Sequence, residues 1–153
     1  MSITLYRITK TKYLDTALNG EGAKKSNTAR WNPKGVPMVY TTMNEASALL
    51  EVMVHLADVQ LLKKAYSVIQ IGINEEFIFD LQHKPKFDAE NMIDLEDSQK
   101  IGKSWLEAKA SLALKVPSTI TRSDFTVLIN PLHDNFNSLK LGQTYPVHVD
   151  SRL

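Results

Sequence analysis

The chain has 153 residues, 43% hydrophobic and 23% charged, which suits one globular core and leaves little length for a second domain. It has no cysteine, so disulfides, thiolate metal sites and a cysteine nucleophile are excluded together; the composition suits a reducing compartment. A net charge of +1 excludes a strong nucleic-acid footprint, and no apolar run reaches the roughly 20 residues that span a bilayer.

The N-terminal segment Met1–Arg7 lacks the charged-then-apolar layout of a signal peptide, so the chain reads as cytoplasmic. Ile3–Ile8, rich in β-branched and aromatic residues, predicts an opening strand. The polar, glycine-bearing stretch Asn19–Asn27 predicts a loop. Ala29-Arg30-Trp31-Asn32 precedes a Pro33-Lys34-Gly35 turn. Pro37–Thr41 then predicts a short strand whose proline sits at its start or on an edge.

Thr42-Met43-Asn44-Glu45 matches a capping box and opens the clearest helix. Ala46, Leu49, Leu50, Met53, Val54 and Ala57 follow at helical spacing and are its expected core stripe. Ala65–Ile73 and Phe77–Leu81 predict strands, and the polar stretch Gln82–Asp94 predicts a loop. A second helix is expected from Asp97 to Leu114, burying Ile101, Trp105, Ala108 and Leu112 and ended by Pro117. Ser118–Thr121, Thr126–Asn130 and Tyr145–Val149 predict further strands. Strands and helices do not alternate regularly, so the expected class is α+β rather than a doubly wound parallel sheet.

Common site motifs are missing. Gly20-Glu21-Gly22 is a lone G-x-G, with Lys25 where a dinucleotide fingerprint has its third glycine. There is no Walker loop and no G-x-S-x-G. Histidines 55, 83, 133 and 148 lack metal-ligand spacing, so no metal site is expected. His55 lies off the apolar stripe and reads as a surface residue.

An ordered set of segments carries the signal: Leu5-Tyr6-Arg7, Ala29-Arg30-Trp31-Asn32, Val39–Thr42, Ala48–Leu56, Gly102-Lys103-Ser104-Trp105, Val116-Pro117-Ser118, Leu128–His133 and Val149–Leu153. In this order the chain resembles the RES-domain family, named for an arginine, a glutamate and a serine. The resemblance covers nearly the whole chain, 1–153, as a single catalytic domain. It implies an ADP-ribosyltransferase-like fold with a small β-sheet core and a few flanking helices. It also implies a bacterial toxin that consumes NAD as substrate rather than using it as a cofactor, with a cognate antitoxin bearing a helix-turn-helix of the Xre type. A homodimer is compatible with it, and nothing in the sequence fixes one. Two positions depart from the family pattern: Ala29 stands where glycine is usual, and Thr126 where asparagine is usual.

The resemblance places Arg7 and Arg30 in the NAD pocket. A guanidinium suits a pyrophosphate because its planar fork gives paired charge-assisted hydrogen bonds; the alternative is a surface ion pair. Tyr40 could stack on nicotinamide or adenine, or be a core or rim tyrosine. Glu51 lies away from the Leu50/Met53/Ala57 stripe, so periodicity alone puts it in solvent. The resemblance instead aims it at the nicotinamide ribose, where a carboxylate stabilises an oxocarbenium-like cation. Ser118 has no histidine base close in sequence and no nucleophile elbow, which excludes serine-hydrolase chemistry. It either bonds substrate, Glu51 or Arg30, or caps its own backbone. Asn130, before Pro131, either holds a loop near the pocket or starts a turn. Trp31 and Trp105 read as core or pocket wall.

Cleavage of the nicotinamide–ribose bond is the favoured activity. Transfer of ADP-ribose to a protein passes through the same cation. A non-catalytic module that binds NAD or a partner is the reading from another class.

Overall fold

Alternating β-branched residues build a seven-stranded mixed sheet in this computed structural model, which describes residues 1–87 and 92–153. Its strands are β1 (Ser2–Lys10), β2 (Val39–Thr42), β3 (Tyr66–Asn74), β4 (Ile78–Asp80), β5 (Ala113–Pro117), β6 (Phe125–Ile129) and β7 (Lys140–Pro146). They lie in the order β4-β5-β6-β2-β1-β3-β7, with β4–β5 parallel and the other pairs antiparallel. Four α-helices accompany them among the described residues: α1 (Glu21–Lys24), α2 (Glu45–Met53), α3 (Gln60–Ala65) and α4 (Leu95–Ala108). The class is α+β, as expected.

One face of the sheet buries Leu5, Val39, Ile71, Val127 and Ile129 beneath the turns that carry Leu14, Leu18 and Phe136. The other face carries two separate clusters. Ala48 of α2 and Leu62 of α3 pack on Ile8 and Val68. Trp105 and Leu106 of α4, with Trp31, pack on Met38, Leu114, Val116 and Leu128. Thus α2, α3 and α4 share one face, packed on separate clusters, and the span of sheet between the helical pair α2/α3 and α4 is termed the groove. No helix among the described residues is long and apolar enough to cross a membrane.

Several expected boundaries move. The first predicted helix is capped by Asn44, whose side chain accepts from Ser47 N at 2.8 Å, while the Thr42 hydroxyl donates to Asn44 O at 2.6 Å. That helix is also rotated relative to the expected stripe. Ala48 is buried, with Leu49, Val52, Met53 and Leu56 packed on the core, whereas Leu50 and Val54 are 40% and 56% exposed. The second helix stops at Ala108, because Lys109 adopts a left-handed conformation (φ 49°) and cannot continue it. Leu114 and Val116 then alternate as strand residues on the α4 face, Leu112 just before the strand packs in the opposite cluster, and Ala108 is exposed. Ser118–Thr121 is a loop, not a strand. A helical turn, α1, sits inside the loop expected at 19–27, and α3 was not anticipated. The last strand begins earlier than expected, at Lys140; as an exposed edge it shows no apolar alternation. Positions 88–91 of the predicted loop lie outside the described residues.

Candidate active site

Strand alternation and register place the groove floor. Tyr40 pairs with Leu128 and Thr42 with Thr126 across β2 and β6, and Thr126 pairs with Val116 across β5. Met38, Tyr40, Thr42, Val116, Thr126 and Leu128 therefore point to the helical face. Ser118, whose N–H extends the β5–β6 ladder to Asp124 O at 3.0 Å, falls on the same face.

Glu51 enters from α2. The rotation of that helix leaves it half-buried on the flank toward β6, near Thr126, Arg30 and Tyr40. Burial raises its carboxyl above the usual glutamate value of 4.5, and His55 one turn on, the Thr126 side chain and Arg30 draw it part of the way back. Periodicity put this residue in solvent; the structure puts it over the groove. Thr126, one of the two departures from the family pattern, thus supplies a polar neighbour to the carboxylate.

Arg30 is held by its backbone and exposed through its side chain. Its carbonyl accepts from Ser98 Oγ, the carbonyl of Ala29 accepts from Gln99 Nε2 at 2.8 Å, and Trp31 N donates to the Tyr40 hydroxyl at 3.0 Å. The guanidinium forms no ion pair among the described residues, so it can meet an anion. Ala29 is not among the residues of positive φ, so the usual glycine is not needed there for backbone conformation.

Tyr40 is the fastener of this segment. Its hydroxyl donates to Asn32 Oδ1 at 2.6 Å while accepting from Trp31 N. Burial raises its ionisation far above the ordinary tyrosine value, so the hydroxyl stays protonated and tied to the segment. What Tyr40 can offer a ligand is its ring.

The other expected residues do different work. Arg7 donates from Nε to Ala17 O and from a terminal nitrogen to Tyr40 O, both at 2.9 Å. β1 and β2 share a single register pair, Tyr6–Thr42, and Arg7 bridges the gap where they diverge. Burial lowers its ionisation, and no carboxylate among the described residues pairs with it. It braces the strand that carries Tyr40. Asn130 is fully enclosed: Nδ2 donates to Leu106 O at 3.0 Å and Oδ1 accepts from Leu132 N at 2.9 Å. Its amide starts a turn and anchors the end of α4, so it presents nothing to a substrate. Ser118 Oγ accepts from Ile120 N at 3.0 Å and Thr121 N at 3.4 Å, so of the two expected roles the structure displays the capping one. Its hydroxyl proton is unused in these bonds. Trp31 and Trp105 are core, and Trp105 Nε1 donates to Ser111 Oγ at 2.8 Å.

A cavity of about 390 Å³ lies beside Ser118, walled by Phe87, Ile93, Pro117, Thr121 and Arg122. A larger one of about 490 Å³, at Lys63 and Val147–Ser151, lies past β3 near the opposite edge of the sheet and holds none of the site residues.

A family model described as RES domain matches residues 4–150. The chain is 34% identical to "Toxin Res" of Photorhabdus laumondii, over 97% of this chain and 96% of that protein. It is 30% identical to "Prs ADP-ribosylating toxin" of a Sphingobium species, over 89% of this chain and 86% of that protein. A crystal structure of the M. tuberculosis MbcT–MbcA toxin–antitoxin complex contains a chain that superposes with a TM-score of 0.70 at 19% identity, covering 96% of this chain and 85% of that one. This likeness bears out the α+β, ADP-ribosyltransferase-like fold.

Proposed function

The chain belongs to the RES-domain family, and from that premise we propose that it is the toxin of a toxin–antitoxin pair and cleaves the nicotinamide–ribose bond of NAD in the groove between α2 and α4. The Glu51 carboxylate carries this reading: it is half-buried, with Arg30, Tyr40 and Thr126 around it. The Arg30 fork takes the pyrophosphate, and the Tyr40 ring lies against nicotinamide or adenine. When the glycosidic C–N bond breaks, its electron pair leaves with nicotinamide. Nicotinamide departs neutral, so no strong general acid is needed. The ribose is left as an oxocarbenium-like cation beside Glu51, which stabilises the charge and orients the ribose hydroxyls. Water adds to the anomeric carbon and loses a proton, giving ADP-ribose. NAD is consumed, not recycled.

Transfer of the ADP-ribosyl group to a protein is the second reading, favoured by the name of the Sphingobium relative. Incubation of purified protein with NAD alone separates the two. Rapid release of free nicotinamide and ADP-ribose is expected; label appearing only on an added protein establishes transfer. Inert protein in both assays overturns the NAD reading and leaves a binding module.

Such an activity needs restraint in its producer. The partner we propose is an antitoxin with an Xre-type helix-turn-helix; at a net charge of +1 on this chain, DNA contact belongs to that partner. Expression alone is expected to arrest growth through NAD depletion, and co-expression of the antitoxin to restore it. Growth unaffected by active, folded protein would defeat the toxin role.

Arg30→Ala is expected to raise KM for NAD by about 10- to 100-fold, the loss of a charge-assisted bond, with a smaller effect on kcat. Lysine should rescue only part, because it lacks the fork. A collapse of kcat at constant KM would place Arg30 in the chemistry instead.

A further inference from the structure

Ser47 and Asp124 stand 77 residues apart and meet between α2 and the β6 ladder: the Ser47 hydroxyl donates to Asp124 Oδ2 at 2.6 Å. The backbone carbonyl of Asp124 accepts from Ser118 N at 3.0 Å. One residue therefore grips both the helix that carries Glu51 and the loop that opens at Ser118.

The spacing gives this contact a consequence for Glu51. Ser47 and Glu51 are four residues apart on α2 and share one flank. Asp124 and Thr126 are two residues apart along the β6 ladder and share one face. Four helical residues rise about 6 Å and two strand residues about 6.8 Å, so the spacings match. Ser47–Asp124 and Glu51–Thr126 are thus neighbouring rungs between the same two elements.

Burial and one long-range hydrogen bond set the rotation of α2 together. It is a nine-residue helix with apolar side chains on both sides, Ala48, Leu49, Val52 and Met53 facing in, Leu50 and the capping Val54 facing out. A turn of the helix about its axis would exchange one apolar set for the other. The Ser47–Asp124 bond distinguishes the two settings, because only the observed one places Ser47 on the β6 side.

We propose that Asp124, through its bond to Ser47, is a positioning residue that fixes the rotation of α2 and so holds Glu51 over the groove in register with Ser118. Its effect on catalysis rests on the NAD reading; its effect on Glu51 does not. Four variants test it: Ser47→Ala, Asp124→Ala, Asp124→Asn and the double alanine variant. Ser47→Ala keeps the Asn44 cap, which uses the Ser47 backbone N–H, and alanine is the better helix former, so the helix itself is not weakened. Ser47→Ala and Asp124→Ala should each lower kcat by about 10- to 100-fold with KM nearly constant, as misplacement of a catalytic group by about 1 Å does. Asp124→Asn should recover most of the rate, since its side-chain carbonyl still accepts from Ser47. The double variant should be no worse than the more damaged single one. A carbon-13 titration of the Glu51 carboxyl supplies a readout independent of NAD. It should fall toward the ordinary glutamate value in both alanine variants, as the helix loosens and water reaches the group, and stay raised in Asp124→Asn. Unchanged kcat together with an unchanged Glu51 titration overturns the proposal, as does an asparagine variant no better than alanine in that titration. A moved titration in a protein whose wild type leaves NAD intact supports the positioning role and overturns the NAD reading alone.

Discussion

Glu51→Gln should remove most NAD cleavage while leaving the protein at least as stable as before. The amide is nearly isosteric and keeps a hydrogen-bonding atom toward Thr126, so the change is one of charge. A preorganised group that meets developing charge in a low-dielectric site is worth roughly 10²- to 10³-fold in kcat. The stability side follows from the direction of the Glu51 shift. Burial raises its folded-state value above the unfolded one, so the folded protein keeps a proton that the unfolded chain releases. Below the unfolded value, near 4.5, the side chain has no effect of this kind; as pH rises through the folded value the cost develops and then stays. At neutral pH the ionised carboxylate therefore weakens the fold, and glutamine should give an equal or higher Tm, the difference vanishing in acid. The same shift should move the acid limb of kcat/KM, which reports the free enzyme, upward from the ordinary glutamate position, because the ionised form is the active one in this reading. Melting curves at pH 4 and 7 and a pH–rate profile check all of this. Retained turnover would return Glu51 to the role of a surface residue, and a sharp loss of stability in the glutamine variant would overturn the burial cost argued for its carboxylate.

Why Glu51 looked exposed in the sequence is itself a physical point. The segment from Ala46 to Ala57 is apolar on both flanks, so a helical wheel admits two inward settings. The choice between them lies in contacts far away in sequence, with Ile8, Val68 and Asp124. Strands with period-two apolar residues, such as Ile69–Ile71–Ile73, were legible because the pattern admits one orientation. The second helix was legible at its start and not at its end. Leu112 continues the helical stripe from Trp105, while Leu114 and Val116 just beyond it alternate as a strand; only the left-handed Lys109 decides where the one pattern yields to the other. For Ser118, sequence left two roles open, and the backbone N–H groups that its oxygen accepts decided for the turn. Thr126 was visible as a departure, but its neighbour Glu51 comes from another element and leaves no local signature. The Ser47/Glu51 spacing and the glycine of Gly102-Lys103-Ser104-Trp105 were the signals available for the residues that brace the site.

Gly102→Ala should be the most destabilising of the six glycine-to-alanine changes in this chain, and it should damage the site as well. Gly102 is buried within α4, where alanine is ordinarily favoured by about 1 kcal/mol. A Cβ there would stand 1.7 Å from the Trp31 carbonyl oxygen and 2.8 Å from its carbon, both backbone atoms that no rotamer change can move. The Trp31 segment cannot yield cheaply. It is held by Ser98 and Gln99 on α4, by the Tyr40 hydroxyl, and by Asn32 Nδ2 donating to Ala23 O at 2.9 Å and Val36 O at 3.0 Å. Overpacking of this kind costs about 3 kcal/mol or more, several times the propensity gain. A loss of that size lowers Tm by roughly 6–12 °C in a domain of this length. Whatever relief the fold finds must push Arg30 and Trp31 away from α4, so KM for NAD should rise in any folded fraction. Gly22→Ala is the control: nothing lies within 4 Å of its added methyl, and its Tm should be unchanged or slightly raised. A Gly102→Ala protein that melts at or above the wild-type temperature would mean that α4 does not rest on the Trp31 backbone, and the support drawn here for Arg30 would fall with it.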